Sequence, residues 1–256
     1  MSVDDFDSTG NCATALPAGE PRALPPVEPG LALWWTDLAH PADEIARIAG
    51  WLSPAEHTRA ARFGTDSLRQ KYIAGRATLR LLLGRTLGVA PSTVAIRRGI
   101  RGRPELADAG VVLDFNVSHT AGGAVIGIAQ GLREGTRIGV DVEREDRQLG
   151  ADRLARKFLS PEEQAVVWQL DTDQRRMRFL RYWTCKEAMS KATGDGLIAP
   201  FARLTVDIGE ALALIQGPPP YLPDAWRLYA ATVPAGFLAT VAVWRGDGSF
   251  NPRLHR

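Results

Sequence analysis

The feature that most constrains the fold is a helix start that occurs twice in the chain. Residues 52–56 read LSPAE and residues 159–163 read LSPEE, an offset of 107 residues. In each, the serine can cap the first free amides, the proline suits the first turn, and the glutamate three residues after the serine completes a capping box. Two helices are therefore predicted to begin in the same way in two halves of the chain.

A second helical segment follows each of these starts. KYIAGRATLRLLLG at 71–84 lines up with RYWTCKEAMSKATG at 181–194 at an offset of 110, which places Arg76 over Lys186. Similarity that returns at a nearly constant offset indicates an internal duplication. We therefore expect two related units in one chain.

Strand patterns lie between and after the helical segments. An alternating apolar pattern begins at residue 31, and a helical stretch is expected over 41–50. Further runs rich in β-branched residues and bounded by glycine turns are 111–118, 124–131, 137–143, 204–208, 227–232 and 238–244. The pattern predicts an α+β fold of two similar α/β lobes related by pseudo-twofold symmetry, with the active site at the lobe interface.

Proline content marks the first segment of the chain. Residues 1–30 contain five prolines and three glycines among small and acidic residues, without helical or strand periodicity. They are predicted to form a disordered Pro-rich leader. The remaining chain is expected to divide into an N-terminal lobe over 31–135 and a C-terminal lobe over 136–256.

Composition excludes several classes of protein. The chain is 45% hydrophobic and 23% charged, as in an ordinary globular protein. No secretory signal precedes residue 31, and no apolar run approaches the roughly 18 to 20 residues that cross a bilayer. With only two cysteines, a cytoplasmic location is expected, and Cys185 is predicted to be a buried apolar residue. Because one chain supplies both lobes, we expect a monomer.

Carboxylates are the first candidates for chemistry. In the strand over 137–143 the apolar residues alternate, so Asp141 and Glu143 share the opposite face. Two adjacent carboxylates raise each other's pKa unless a cation lies between them, and oxygen ligands favour Mg²⁺, with Mn²⁺ as an alternative. Glu187 could supply a third oxygen or act as a base. A solvated acidic face that binds no metal is equally consistent with these residues.

Basic residues are concentrated in one part of the chain. Between Arg59 and Arg103 there are eleven lysines and arginines and one acidic residue. Such a run indicates a polyanionic partner, either the phosphates of a nucleotide or a nucleic acid. No aromatic-interleaved basic stripe, zinc knuckle or helix-turn-helix pattern accompanies the run, so nucleic acid is the less favoured partner.

Three motifs in order resemble those of the Sfp-type 4'-phosphopantetheinyl transferases. FNVSHT at 115–120, GVDVE at 139–143 and WTCKEAMSK at 183–191 match the family patterns NxSHS, GxDxE and WxxKEAxxK. GRP at 102–104 is similar to the family's GKP element. The sequence departs from the family at Thr120, where NxSHS has serine, and at Arg103, where GKP has lysine.

The resemblance implies a role for each matching residue. It implies magnesium ligands at Asp141, Glu143 and Glu187, and catalytic roles for Glu187, Lys191 and His119. Residues expected to bind coenzyme A are Arg59, Lys71, Arg76, Arg103, Ser118, His119, Lys186 and Lys191. Among these, Arg103 would lie beside the adenosine end, and Arg59, Lys71 and Arg76 would bind the 3'-phosphate.

The resemblance also implies the reaction and the partners. A serine of an apo acyl or peptidyl carrier protein would attack the β-phosphate of coenzyme A and release 3',5'-ADP, with Mg²⁺ on the phosphates. Two alternatives stay open from the residues alone. One is a metal-dependent phosphohydrolase of coenzyme A or a nucleotide, and the other is a nucleic-acid-binding module. Neither a nucleic acid nor a membrane is the expected partner.

Overall fold

The structure is a computed structural model that describes residues 20–107 and 110–246. The helices are α1 Ala42–Ala49, α2 Pro54–Ala60, α3 Asp66–Leu87, α4 Ala151–Phe158, α5 Pro161–Val167 and α6 Thr172–Thr193. The strands are β1 Arg22–Glu28, β2 Leu31–Asp37, β3 Ile96–Arg98, β4 Pro104–Leu106, β5 Leu113–Thr120, β6 Gly123–Gln130, β7 Arg137–Arg144, β8 Thr205–Ile208, β9 Leu212–Gln216, β10 Trp226–Ala231 and β11 Phe237–Trp244.

Two antiparallel sheets form the centre of the molecule. One has the strand order β1-β2-β6-β5 and the other the order β10-β11-β7. Side chains from both sheets, including Leu33, Val125, Val140 and Val241, share one buried apolar cluster. Helix α3 packs on the first sheet, and α4 to α6 pack with the second. The mixed architecture confirms the predicted α+β class. All strands of the first sheet precede residue 135 and all strands of the second follow residue 136. The boundary between the two lobes at this point stays a prediction.

Both predicted capping boxes are present. Ser53 accepts a hydrogen bond from the Glu56 amide while the Glu56 carboxylate accepts one from the Ser53 amide. Ser160 and Glu163 make the same two bonds at the start of α5. The repeated sequence therefore encodes a repeated local structure, since each box satisfies two amides that the first turn leaves free.

The register of the duplication differs from the predicted one. Helices α3 and α6 are both 22 residues long, and each ends at a left-handed glycine, Gly88 and Gly194. Their ends are offset by 106 residues rather than 110, so Lys186 corresponds to Arg80 instead of Arg76. Each of these two side chains is buried and forms an ion pair with the capping-box glutamate of its own lobe. The alignment of α3 with α6 therefore follows from their ends and their buried residues, because identical residues on the surface of two helices do not constrain how the helices pack.

The expected leader is partly wrong. Residues 22–28 form β1, which pairs antiparallel with β2 and bears a register shift between Leu24 and Glu28. Pro25 and Pro26 lie within that shift. Proline lacks an amide donor, so it is tolerated in an edge strand beside an irregularity. Residues 1–19, including Cys12, lie outside the described residues.

A close approach of α6 to β7 positions the candidate site. A Cβ placed on Gly139 would lie 1.9 Å from the Ala188 carbonyl oxygen and 2.7 Å from the Ala192 amide nitrogen. Only glycine lets the helix backbone come this near to the strand. Asp141 and Glu143, two and four residues further along the strand, therefore face the same helix. Within the described residues, no helix is both long and apolar enough to cross a bilayer.

Candidate active site

Strands β5 and β7 meet along a seam of side-chain hydrogen bonds. The amides of Ile138, Val140 and Val142 donate to side chains of β5 at distances of 2.7, 3.1 and 3.2 Å. The acceptors are Asp114, Asn116 and Ser118, respectively. Every second residue of one strand thus binds every second amide of the other. This seam brings the NVSH and VDVE segments side by side, as the predicted interface site requires.

Asp141 lies at the centre of the site. Its Oδ1 accepts hydrogen bonds from the Ser118 hydroxyl at 2.9 Å and from the Lys191 ammonium at 2.6 Å. Lys191 Nζ is also 2.7 Å from Ser118 Oγ. Ser118 is buried, and its oxygen also accepts the Val142 amide. The structure therefore places Ser118 as a support of Asp141, whereas Lys191 remains partly exposed beside it.

Two buried carboxylate oxygens at this centre have no hydrogen-bond partner among the residues that the structure describes. They are Asp141 Oδ2 and Glu187 Oε1. Burial, followed by the nearby Asp141 charge, raises the pKa of Glu187 to about 7. A buried carboxylate oxygen without a partner costs free energy, and a bound cation relieves that cost. The charges of Asp141 and Glu143 are thus close enough to Glu187 to raise its pKa.

Glu143, the third acidic residue, differs from Asp141 and Glu187 because its carboxylate is paired with an arginine. Its carboxylate is buried, and burial followed by the Asp141 charge raises its pKa. Arg147 forms an ion pair with Glu143 Oε1, and the Trp183 side chain lies near the same carboxylate and partly offsets the rise of its pKa. Trp183 borders Glu143, although the motifs implied no role for it. Its place as the first letter of the WxxKEA pattern was the available signal.

The predicted ring of three metal ligands is not closed. Within residues 20–107 and 110–246, no three His, Cys, Asp or Glu side chains are grouped so that they could hold a metal ion. Asp141 and Glu187 nevertheless offer hard oxygen atoms without partners, which fit Mg²⁺ or Mn²⁺. Two carboxylates therefore suit a divalent cation, whereas the third, Glu143, is in an ion pair with Arg147.

A cleft of about 650 Å³ lies between α2, α3 and the β3–β4 hairpin. Four of the predicted coenzyme A residues line it together: Arg59, Lys71, Arg76 and His119. Arg97 and Arg98 add positive charge on the hairpin side. Desolvation, followed by the Lys191 charge, lowers the pKa of His119. Such a cationic cleft suits a ligand with several phosphates.

Arg76 is oriented in the cleft by a carboxylate. Glu56 forms ion pairs with both Arg76 and Arg80. Arg80 is 2% exposed and its Nη1 donates to the carbonyl oxygens of Pro91, Ser92 and Val94. Arg76 is more exposed and borders the cleft. One glutamate thus anchors α2 to α3 and also holds a guanidinium toward the ligand space.

Lys186 does not lie in the cleft, and its predicted contact with a phosphate of coenzyme A is wrong. Its side chain is 0% exposed, and Nζ donates to Glu163 Oε2 at 2.5 Å. The carbonyl oxygens of Phe158 and Phe201, at 3.0 and 2.7 Å, accept its other hydrogen bonds. An ammonium has three donors, and all three are used inside the protein. Lys186 therefore joins α5 to α6 and leaves the neighbouring Glu187 to face the site.

Arg103 is likewise internal, so its predicted place beside the adenosine end is wrong. Its guanidinium binds both oxygens of Asp114, at 2.9 and 2.7 Å. It also donates to the carbonyl oxygens of Lys191 at 3.0 Å and of Ile138 at 2.9 Å. The planar fork of arginine suits this bidentate role, which a lysine could not reproduce. Arg103 therefore links β5, β7 and α6 directly behind the site.

Loss of Arg103 is expected to destabilise the fold. Arg103→Ala should lower the free energy of unfolding by about 2 to 3 kcal/mol, because Asp114 and the carbonyl oxygens of Phe115, Ile138 and Lys191 lose a charged donor. Arg103→Lys should recover only part of that loss. Urea unfolding followed by circular dichroism measures both variants. Unchanged stability combined with weaker coenzyme A binding would instead support the adenosine contact.

The comparisons with known proteins agree with this geometry. The family model described as 4'-phosphopantetheinyl transferase superfamily matches residues 137–237. The model described as 4'-phosphopantetheinyl transferase, N-terminal, matches residues 39–130. The 4'-phosphopantetheinyl transferase HetI of Nostoc sp. is 35% identical over 213 residues, which cover 82% of this chain and 86% of that protein.

Two more distant proteins are also similar. The phosphopantetheinyl transferase of Thraustochytrium sp. is 28% identical over 186 residues, which are 67% of this chain and 63% of that protein. The crystal structure of Thermotoga maritima holo-(acyl-carrier-protein) synthase covers 46% of this chain and 73% of its own, with 19% identity and a TM-score of 0.35. On the HetI match and the two family models, the chain belongs to the 4'-phosphopantetheinyl transferase superfamily.

Proposed function

We propose that the protein transfers the 4'-phosphopantetheine group of coenzyme A to a serine of an apo acyl or peptidyl carrier protein, with release of 3',5'-ADP. The observation that carries this proposal is the pair of unpartnered carboxylate oxygens on Asp141 and Glu187 beside the Lys191 ammonium. Membership of the superfamily supports the same reaction. The carboxylates and the cationic cleft together suit a pyrophosphate held by a hard cation.

The cleft is the proposed site for the nucleotide end of coenzyme A. Arg59, Lys71 and Arg76 would neutralise the 3'-phosphate, with Arg76 held in place by Glu56. Arg59 also lies over the ring of Tyr72, at 5.7 Å from its centroid, which restricts the guanidinium at the cleft wall. His119 lies at the cleft border on β5, the same strand that carries Ser118. The pyrophosphate would then pass from the cleft toward Asp141.

Asp141 and Glu187 would hold a magnesium or manganese ion, and Glu143 is the third candidate ligand. When bound, such an ion neutralises charge on the phosphates and so favours departure of the nucleotide. Lys191 adds a positive charge beside the same carboxylates. Ser118 keeps Asp141 oriented through its hydroxyl. These residues act mainly by position and charge, which is the principal source of catalysis in phosphoryl transfer.

Glu187 is the proposed general base. Its carboxylate would accept a proton directly or through a water molecule. The proton would come from the carrier serine as its oxygen attacks the β-phosphate.

Two further features belong to the proposal. We expect the protein to act as a monomer, because the cleft and the carboxylates both lie within one chain. We also expect a cytoplasmic location. The carrier would present its serine on an acidic helical domain, which matches the basic character of the N-terminal lobe.

The direct test is incubation of the protein with coenzyme A, Mg²⁺ and a panel of apo carriers, followed by mass spectrometry. A carrier heavier by one phosphopantetheine supports transfer, whereas free phosphopantetheine in solution would indicate hydrolysis. Asp141→Asn is expected to slow labelling by about 100-fold to 1000-fold, since one preorganised electrostatic group is lost. Asp207→Asn, an exposed aspartate on β8, serves as the control and should label normally.

A further inference from the structure

The three carboxylates of the site differ in which group faces them. Asp141 is bound by Ser118 and Lys191 through one oxygen and keeps the other oxygen free. Glu187 also keeps a buried oxygen without a partner. On Glu143, in contrast, an arginine of the same chain, Arg147, is paired with the carboxylate. The protein thus supplies its own cations to two of the three candidate ligands, Lys191 to Asp141 and Arg147 to Glu143.

The turn that carries Arg147 is fixed on two sides. The Arg147 amide donates to the Arg144 carbonyl oxygen at 3.2 Å, and the Glu145 amide donates to the Gly236 carbonyl oxygen at 2.9 Å. Arg176 of α6 donates to the Glu145 carbonyl oxygen. The backbone of the turn therefore joins the loop before β11 and helix α6. This arrangement directs Arg147 back toward Glu143 and does not leave it on a free loop.

Exposure shows which member of the pair can move. The Arg147 side chain is 47% exposed, whereas that of Glu143 is 11% exposed. The guanidinium therefore covers the carboxylate from the solvent side and can leave it for water at little cost. Glu143 cannot follow, because its backbone lies in β7, which is paired with β11.

We propose that Arg147 is a resident counter-ion that competes with a divalent cation for Glu143 and so sets the metal affinity of the site. The inference rests on the metal site of the proposed function. Without metal, Arg147 offsets the repulsion among three neighbouring carboxylates. When a cation binds at Asp141 and Glu187, the positive charge of Arg147 opposes it, and Glu143 becomes a ligand only after the guanidinium has left.

The test measures Mn²⁺ binding to the full chain without coenzyme A or carrier, by electron paramagnetic resonance of free Mn²⁺ and by calorimetry. Arg147→Gln is expected to lower the Kd roughly threefold to tenfold, because one opposing charge a few ångströms from the ion is removed. Arg147→Lys should give a smaller change and also serves if the glutamine variant does not fold. Circular dichroism verifies the fold of each variant.

Arg144→Gln is the matched control, because it removes the same charge from the same turn. Arg144 pairs with Asp146 instead of Glu143. Its Kd for Mn²⁺ should stay within about twofold of the wild-type value, since screening weakens charges that do not touch the site. An unchanged Kd in Arg147→Gln and Arg147→Lys, or an equal gain in Arg144→Gln, overturns the inference alone. Absence of Mn²⁺ binding in the wild type and in every variant overturns the proposed metal site as well.

Discussion

Glu187→Gln is expected to stabilise the metal-free protein above pH 7 while it abolishes transfer. In the folded protein, burial and then Asp141 raise the pKa of Glu187 from 4.5 to about 7. Above pH 7 the fold therefore contains a desolvated carboxylate that the unfolded chain keeps hydrated. Glutamine removes that charge, so the free energy of unfolding should rise by about 2 to 3 kcal/mol at pH 8.

The pH dependence of this gain follows from the direction of the shift. Between pH 4.5 and 7 the folded state binds more protons at Glu187 than the unfolded state, so acid relieves the wild-type penalty. The advantage of Glu187→Gln should therefore shrink as the pH falls from 7 toward 4.5. Urea unfolding at pH 8, 6.5 and 5 in the presence of a chelator measures it. Glu134→Gln, on an exposed turn, is the control.

Three outcomes would contradict this account of Glu187. A loss of stability at pH 8 would mean that the carboxylate makes favourable contacts in the metal-free fold. A gain in stability that does not depend on pH would mean that removal of the Glu187 charge is not the source of the gain. Retained labelling of a carrier by Glu187→Gln would remove the residue from the mechanism, although the stability result could still hold. The two measurements therefore separate the electrostatics of the site from its chemistry.

Lys186→Met is expected to cause a large loss of stability. The substitution leaves the Glu163 carboxylate buried without its ammonium partner and also removes donors from the Phe158 and Phe201 carbonyl oxygens. Breaking one half of a buried ion pair typically costs about 3 to 5 kcal/mol. For a chain of this size, each kcal/mol corresponds to a melting temperature lower by about 2 to 4 °C. Thermal and urea unfolding measure the loss.

The double variant Lys186→Met with Glu163→Gln tests the cause. Because the orphaned charge is then removed as well, it should recover much of the lost stability. Lys191→Met is a matched control on the same helix, since its ammonium is partly exposed. Lys191→Met should lower the free energy of unfolding less than Lys186→Met does, and it should lower the labelling activity more. A Lys186→Met protein with normal stability and only weaker coenzyme A binding would restore the original prediction of a phosphate contact.

Local sequence was sufficient for several elements of the fold. The two capping boxes, the helix over 42–49 and the strands around Asp141 were all predicted, because each depends on neighbouring residues alone. Strand alternation also placed Asp141 and Glu143 on one face. Strand β1 was missed because two prolines argue against a strand, and only its pairing at a sheet edge beside β2 makes it one.

From the sequence alone, the three motifs indicated the superfamily, the repeated helix starts indicated the duplicated α+β design, and strand alternation indicated the face that carries Asp141. Tertiary structure decided which charges serve the ligand space and which serve the core. Lys186 and Arg103 resemble ligand-binding cations in the sequence, yet both lie inside because their partners, Glu163 and Asp114, come from other elements. The Arg147 pair and the raised pKa of Glu187 likewise depend on burial. A sequence pattern specifies the type of a charge, whereas its solvation and its partner arise only when distant segments pack together.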